Sequence, residues 1–202
     1  MVDCHSLLEG DIAGAVDMLA ALEVSAGGVQ DCRVYRALCR DAIQGNQVTM
    51  LMACRDGSTA GLAVAIIHAS AYWRGFLVRH PLLACRILTA RWSRRAGAGP
   101  AEASGLPTAA EALLEPQPTL HRWERSGPGT ARILFIGVSQ EHRGRGVAGV
   151  LYRRLADVLR ERGLRQVYAR IENGNLPSMR LHRSAGWKLY RAEPSVFAVL
   201  EL

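Results

Sequence analysis

Between Ile133 and Val150 the chain reads ILFIGVSQEHRGRGVAGV. The apolar run Ile133, Leu134, Phe135, Ile136 has the character of a buried strand, and Ser139-Gln140-Glu141-His142 that of a polar turn. Beyond Arg143-Gly144-Arg145-Gly146, residues Val147, Val150, Leu151, Leu155, Val158 and Leu159 recur at spacings of three and four with charges between them. That is the pattern of a helix with one buried face. A strand that turns through glycines into a helix leaves the first amides of the helix pointing outward, at the positive end of its dipole. Such an end is an anion site suited to phosphates. Gly144 and Gly146 let the backbone approach the anion without a Cβ in the way, while Arg143 and Arg145 add positive charge. A plain strand–helix connection has the same glycine spacing, so context must decide. The Walker type would need Lys-Ser/Thr after the last glycine, and dinucleotide binding a different glycine spacing with a ribose-binding acid.

The context is a second run, Asn175-Leu176-Pro177-Ser178-Met179-Arg180-Leu181-His182-Arg183-Ser184-Ala185-Gly186-Trp187. The first stretch has an arginine, two residues, a glycine, one residue and a small residue; the second has an asparagine, a short helix, a histidine and Gly-aromatic. Together they resemble the two signatures of the GNAT superfamily of N-acetyltransferases. The resemblance covers roughly residues 131 to 190 well and the first 130 in outline. It implies an α/β (α+β) fold, with a mixed, mostly antiparallel sheet flanked by helices and acyl-CoA wedged between two splayed central strands. It places the backbone of Ile136, Gly137 and Val138 along the pantetheine arm. It places Arg143, Gly144, Arg145, Gly146, Val147 and Ala148 around the pyrophosphate through main-chain N–H groups. Asn175 would hydrogen-bond the pantetheine and cap its own helix, with Ser178 also approaching the cofactor. The implied cofactor is acetyl-CoA as acyl donor, with no metal.

In many members of that family an acid five residues before the asparagine serves as base, and here that position is Arg170. The nearest carboxylate is Glu172, which strand alternation puts on the face of Arg170. A tyrosine seven residues after the asparagine often protonates the leaving thiolate; here the position is His182. An imidazole takes or gives a proton near neutral pH, so His182 and Glu172 are the catalytic candidates. The plainer alternatives are a half-buried helix residue against the cofactor for His182 and a solvated turn carboxylate for Glu172. His121 and Glu124 are further candidate bases, whereas His142 in the phosphate turn reads as a surface residue. Without the usual acid, water could relay the proton, or the amine could arrive neutral. No cysteine lies in either signature, which favours direct transfer over a covalent carrier.

A chain of 202 residues, 49% apolar and 21% charged, suits one globular domain over residues 1–202. No run approaches the ~20 apolar residues of a membrane span, and the N-terminus lacks the basic and apolar regions of a secretion signal. Five cysteines without paired-ligand spacing fit reduced thiols in a cytoplasm, and Cys32 and Cys39 read as one packed helix face. The formal charge of +7 is carried by arginine, with Lys188 the one lysine. Such a surface suits nucleic acid, an acidic partner or a polyphosphate cofactor, and equally follows from a GC-rich genome.

Taken in order, a weak strand near Val2 to His5 precedes a helix capped by Asp11, with Ile12, Val16, Leu19, Ala20 and Leu22 inward and an end at Ser25 to Gly28. A second helix spans about Asp31 to Ile43. Gln47 to Cys54 and Thr59 to His68 flank Arg55-Asp56-Gly57-Ser58, a hairpin signal. An insertion over about 70–118 follows. It holds one or two amphipathic helices interrupted at Pro81, with Tyr72, Trp73, Phe76, Leu77, Leu82, Leu83, Ile87, Leu88 and Trp92 apolar, then a loop with a short helix near Thr108 to Leu114. These helices read either as packing over the sheet or as a substrate lid or a contact for an acidic surface. Thr119 to Glu124 is a strand edge. After the core helix ends at Gly163, strands at Gln166 to Ile171, Trp187 to Tyr190 and Val196 to Leu200 surround the helix from Asn175 to Ala185.

The leading function is transfer of acetyl from acetyl-CoA to a primary amine of a small molecule or peptide. The basic chain mildly disfavours polyamines and aminoglycosides. The alternatives are a non-catalytic acyl-CoA-binding module, kept open by Arg170, and a basic GNAT acting on an RNA-linked amine. Nucleic acid is disfavoured as a partner because no aromatic-basic RNA motif is present. A homodimer, common in the family, is left open, as is the acceptor.

Overall fold

The computed structural model describes residues 2–22, 30–45, 47–85, 87, 108–115, 129–192 and 195–202. Seven strands form one sheet: β1 (Val2–Ser6), β2 (Val48–Arg55), β3 (Ser58–Ile67), β4 (Thr130–Val138), β5 (Gln166–Glu172), β6 (Lys188–Ala192) and β7 (Ser195–Glu201), in the order β1-β2-β3-β4-β5-β7-β6. Every neighbouring pair is antiparallel except β4 with β5. The expected mixed, mostly antiparallel sheet is therefore observed, with one parallel pair at its centre. The β2–β3 hairpin turns through Asp56 (φ 52°) and Gly57 (φ 77°). Two successive positive φ values suit the right-handed twist of the strands, and Asp and Gly tolerate them best.

Helices cover both faces. On one, α1 (Ile12–Ala21), α2 (Cys32–Ile43) and α3 (Ala69–Arg79) bury Leu19, Leu38, Tyr72 and Phe76 against Met50, Leu62, Val64 and Ile66. On the other, α5 (Val147–Glu161) and α6 (Leu176–Ser184) pack Leu151, Leu155, Leu159 and Met179 over Leu51, Ala63, Ile133, Val167 and Ala169. The short α4 is Thr108–Glu111. Strands β2 and β3 are covered on both sides and so read as near-continuous apolar runs.

Two features of β4 shape the centre of the molecule. Its pairing with β5 runs only from Thr130↔Gln166 to Ile133↔Ala169, although both strands continue. At the same place its register with β3 jumps from Ala65↔Ile133 to Val64↔Phe135, leaving Leu134 as an extra residue. A bulge bends and twists the strand that carries it. Here it coincides with the point where β4 and β5 part, so among the described residues the edge of β4 from Leu134 to Val138 that faces β5 has no strand partner.

The polar anchor of the insertion is Asp41 on α2, buried at 5% exposure. The Tyr72 hydroxyl donates to its carboxylate at 2.8 Å and Arg79 at 3.0 Å, with the guanidinium lying over the Tyr72 ring. This clamp holds α3 onto α2. Asp41→Ala leaves a buried hydroxyl unpaired and is expected to destabilise the fold by about 3 kcal/mol, read from urea unfolding. Tyr72→Phe keeps the Asp41–Arg79 pair and should lose less.

Several expectations need correction. Asp11 precedes α1 but its carboxylate does not cap it: Oδ2 accepts from the Leu8 N–H at 2.9 Å and faces His5 Nε2 at 3.1 Å. Asp31 does cap α2, accepting from Arg33 N at 2.8 Å. Ala20 and Leu82 point to solvent, Leu82 at 84% exposure, because helix periodicity alone does not say how far a neighbour reaches. Val150 is half-buried; Tyr152 and Ala156 widen the buried stripe of α5 instead. Cys39 is buried while Cys32, at the free start of α2, is exposed, so the two do not share a packed face. Helix α3 ends at Arg79, ahead of Pro81 as expected. The helix end at Ser25 to Gly28, the positions of Leu88 and Trp92, and the strand at Thr119 to Glu124 with His121 lie outside the described residues. Among the described residues no helix is long and apolar enough to cross a membrane.

Candidate acyl-donor site

The widening gap between β4 and β5 opens into a cavity of about 660 Å³, bounded by β4, the turn after it, the start of α5 and the start of α6. Gly137 in its wall is a position of close approach: a Cβ there would run into the Phe135 ring and into Leu22. After β4 a single 3-10 turn, Gln140–His142, leads to Gly144 (φ 73°) and Gly146 (φ 78°). Among the described residues nothing lies within 4 Å of a Cβ built on either glycine, so it is the left-handed backbone, not crowding, that demands glycine. Gly146 is the N-cap of α5, and among the described residues no side chain caps that end. The N–H groups of Val147, Ala148 and Gly149 therefore lack intrahelical acceptors and sit at the positive end of a 15-residue helix, in the cavity wall. A free strand edge running into free helix amides fits an extended arm ending in a diphosphate.

Of the residues expected around the donor, Ile136, Gly137, Val138, Arg143, Gly144, Gly146, Val147, Ala148, Asn175 and Ser178 line this cavity. Arg145 is exposed and does not. Arg143 folds its Nε back to the Val138 carbonyl at 3.3 Å. Asn175 caps α6, its Oδ1 accepting from Ser178 N at 3.2 Å, which leaves its amide N–H groups for a ligand. His142, expected on the surface, is instead buried in the wall, with Nδ1 2.9 Å from Ser139 Oγ. The turn that carries it folds inward because Ser139 gives the ring a polar partner.

His182 lies behind the wall rather than in it, at 4% exposure between Tyr152 and Trp187. Its Nδ1 is 2.7 Å from the Ser178 carbonyl, an atom that only accepts, so Nδ1 carries the proton. Nε2, 2.8 Å from the Tyr152 hydroxyl, is then the acceptor and the phenol the donor. Burial pulls the imidazole down to about 4, against the Ser178 carbonyl, and pushes the Tyr152 phenol up. The imidazole is thus neutral near pH 7. Tyr152, not His182, reaches the cavity. The sequence carries one signal for it, a phenol embedded in the apolar stripe of α5. Glu172 is exposed at the end of β5, on the face of Arg170 as alternation required, and does not line the cavity. Arg170 donates Nε–H to Ser195 Oγ at 2.6 Å.

The same architecture is found in solved structures. A protein assigned to the GNAT acetyltransferases, from Desulfovibrio desulfuricans, is similar at 14% identity with a TM-score of 0.60, covering 100% of this chain and 99% of that one. Arabidopsis thaliana NAA60 in complex with acetyl-CoA is similar at 14% identity and TM-score 0.58, over 100% and 99%. Ribosomal-protein-alanine N-acetyltransferase from Brucella melitensis is similar at 16% and 0.57, over 99% of each chain. At such identities the likeness is one of fold, and that fold is the GNAT fold. No curated protein matches the chain in sequence. Residues 111–187 match the model of the Acetyltransferase (GNAT) family.

Proposed function

We propose that the protein acetylates a primary amine of a small molecule or peptide by direct transfer from acetyl-CoA. The observation that carries this reading is the unpartnered edge of β4 leading straight into the uncapped start of α5. In it, Ile136, Gly137 and Val138 pair with the pantetheine arm, and the amides from Gly144 to Ala148 hold the diphosphate, with Arg143 and Arg145 adding charge. Asn175 and Ser178 meet the arm from α6.

Acetyl-CoA supplies an activated acyl carbon and a thiolate leaving group. The amine nitrogen forms the C–N bond as the C–S bond breaks. An arriving ammonium gives up two protons; one returns to the thiolate and one goes to solvent. Tyr152 is the proton donor to the departing sulfur, turning its O–H from His182 Nε2 toward the cavity, and it regains a proton from the amine nitrogen as the amide forms. His182 acts through Tyr152 by fixing that hydroxyl. Glu172, the nearest carboxylate along β5, takes the proton from the ammonium.

Thiol release from acetyl-CoA across an amine panel tests the reaction: steady release with an acceptor supports it, and tight CoA binding without turnover contradicts it. Tyr152→Phe is expected to lower kcat roughly 100-fold with CoA affinity unchanged. His182→Gln should lower kcat more than it weakens CoA binding. Equal losses in both would reduce the pair to packing.

A further inference from the structure

A second, smaller cavity of about 270 Å³ lies on the opposite side of β4 and β5 from α5, lined by Arg132, Tyr168, Arg170 and Phe197. Registers fix its place. Arg132 pairs with Ile66 on one side and with Tyr168 on the other, whereas Ile133 and Ala169, one residue on, belong to the core beneath α5. Arg132 and Tyr168 form the last rung on this face before the strands part, and Arg170 is the next residue along β5 to point the same way. Phe135, which lines the donor cavity, is three residues beyond Arg132, roughly 10 Å along the strand.

The two guanidiniums line one cavity, and no carboxylate is among its described lining residues. Neither enters an ion pair among the described residues. The Nε of Arg132 is buried with no hydrogen-bond partner. Arg170 is steadied by Ser195, itself 2% exposed, which leaves its terminal nitrogens for another group. The aromatic walls, Tyr168 and Phe197, are buried at 7% and 8%. Two like charges placed side by side repel, and an anion between them relieves that repulsion. The planar fork of arginine matches a carboxylate.

We propose that the acceptor is a small amine that also carries a carboxylate, bound by Arg132 and Arg170 while its nitrogen reaches the β4–β5 gap. This deepens the acetyltransferase reading and rests on it. The volume suits a group the size of an amino acid.

The test compares β-alanine, 4-aminobutyrate and glutamate with their neutral carboxamides as acceptors. The acids should exceed the amides by roughly 10- to 100-fold in kcat/KM. Arg170→Gln, at an exposed position, and Arg132→Gln should erase that gap while the KM for acetyl-CoA stays unchanged. In parallel, calorimetric titration with N-acetyl-β-alanine should show binding that Arg170→Gln removes. Turnover of neutral amines alone overturns this inference and leaves the acetyltransferase reading standing. Failure of every amine with CoA still bound overturns the acetyltransferase reading. In that case the titration decides for the carboxylate site: product binding indifferent to the arginines overturns it.

Discussion

Gly146→Pro is expected to raise the dissociation constant of coenzyme A at least 100-fold. Gly146 holds φ at 78° and starts α5, while a proline ring fixes φ near −65° and has no N–H. The substitution therefore rotates the turn away from the diphosphate and removes one amide from it. Some stability is lost as well, about 3 kcal/mol, so affinity is read only in protein whose far-UV spectrum shows it folded. Gly146→Ala keeps the N–H but strains the left-handed backbone by about 1 kcal/mol, and should bind with intermediate affinity. Wild-type affinity in folded Gly146→Pro contradicts the site.

The second large effect is on stability against pH. His182 is neutral in the folded protein down to about 4, because burial penalises its charged form. In the unfolded chain it takes a proton near 6.5. Between those values the unfolded state binds more protons, so stability is complete above about pH 6.5 and falls as the pH drops toward 4. The loss is about 2 kcal/mol by pH 5 and about 3 kcal/mol by pH 4. Urea midpoints at pH 7, 5.5 and 4.5 measure it. Replacing the imidazole by phenylalanine should flatten the profile over the upper part of that window, where carboxylates contribute little. A slope unchanged in His182→Phe would place the sensitivity elsewhere.

What the sequence revealed was what local chemistry encodes. The Asp56-Gly57 hairpin, the Gly144 and Gly146 turn, and the Asn175 cap each depend on a few adjacent residues with demanding backbone or hydrogen-bonding needs, and each stands where the sequence placed it. Residues whose surroundings come from distant strands were harder. Tyr152 looks like one more apolar position of α5 until α6 brings His182 against its hydroxyl. His142 looks solvated until Ser139 draws it inward. The parting of β4 from β5 follows from a register jump at Leu134, which no composition of β4 alone announces. Arg132 and Arg170 are 38 residues apart and become neighbours only through the parallel register.

Backbone amide NMR reads one by one the helix amides and the strand edge that grip the acyl donor. Titrating ¹⁵N-labelled protein with coenzyme A should shift Gly144, Gly146, Ala148 and Gly149 together with Gly137, while amides of the β2–β3 turn stay still. Saturable shifts confined to another face, with these glycines unmoved, would contradict that grip on the donor.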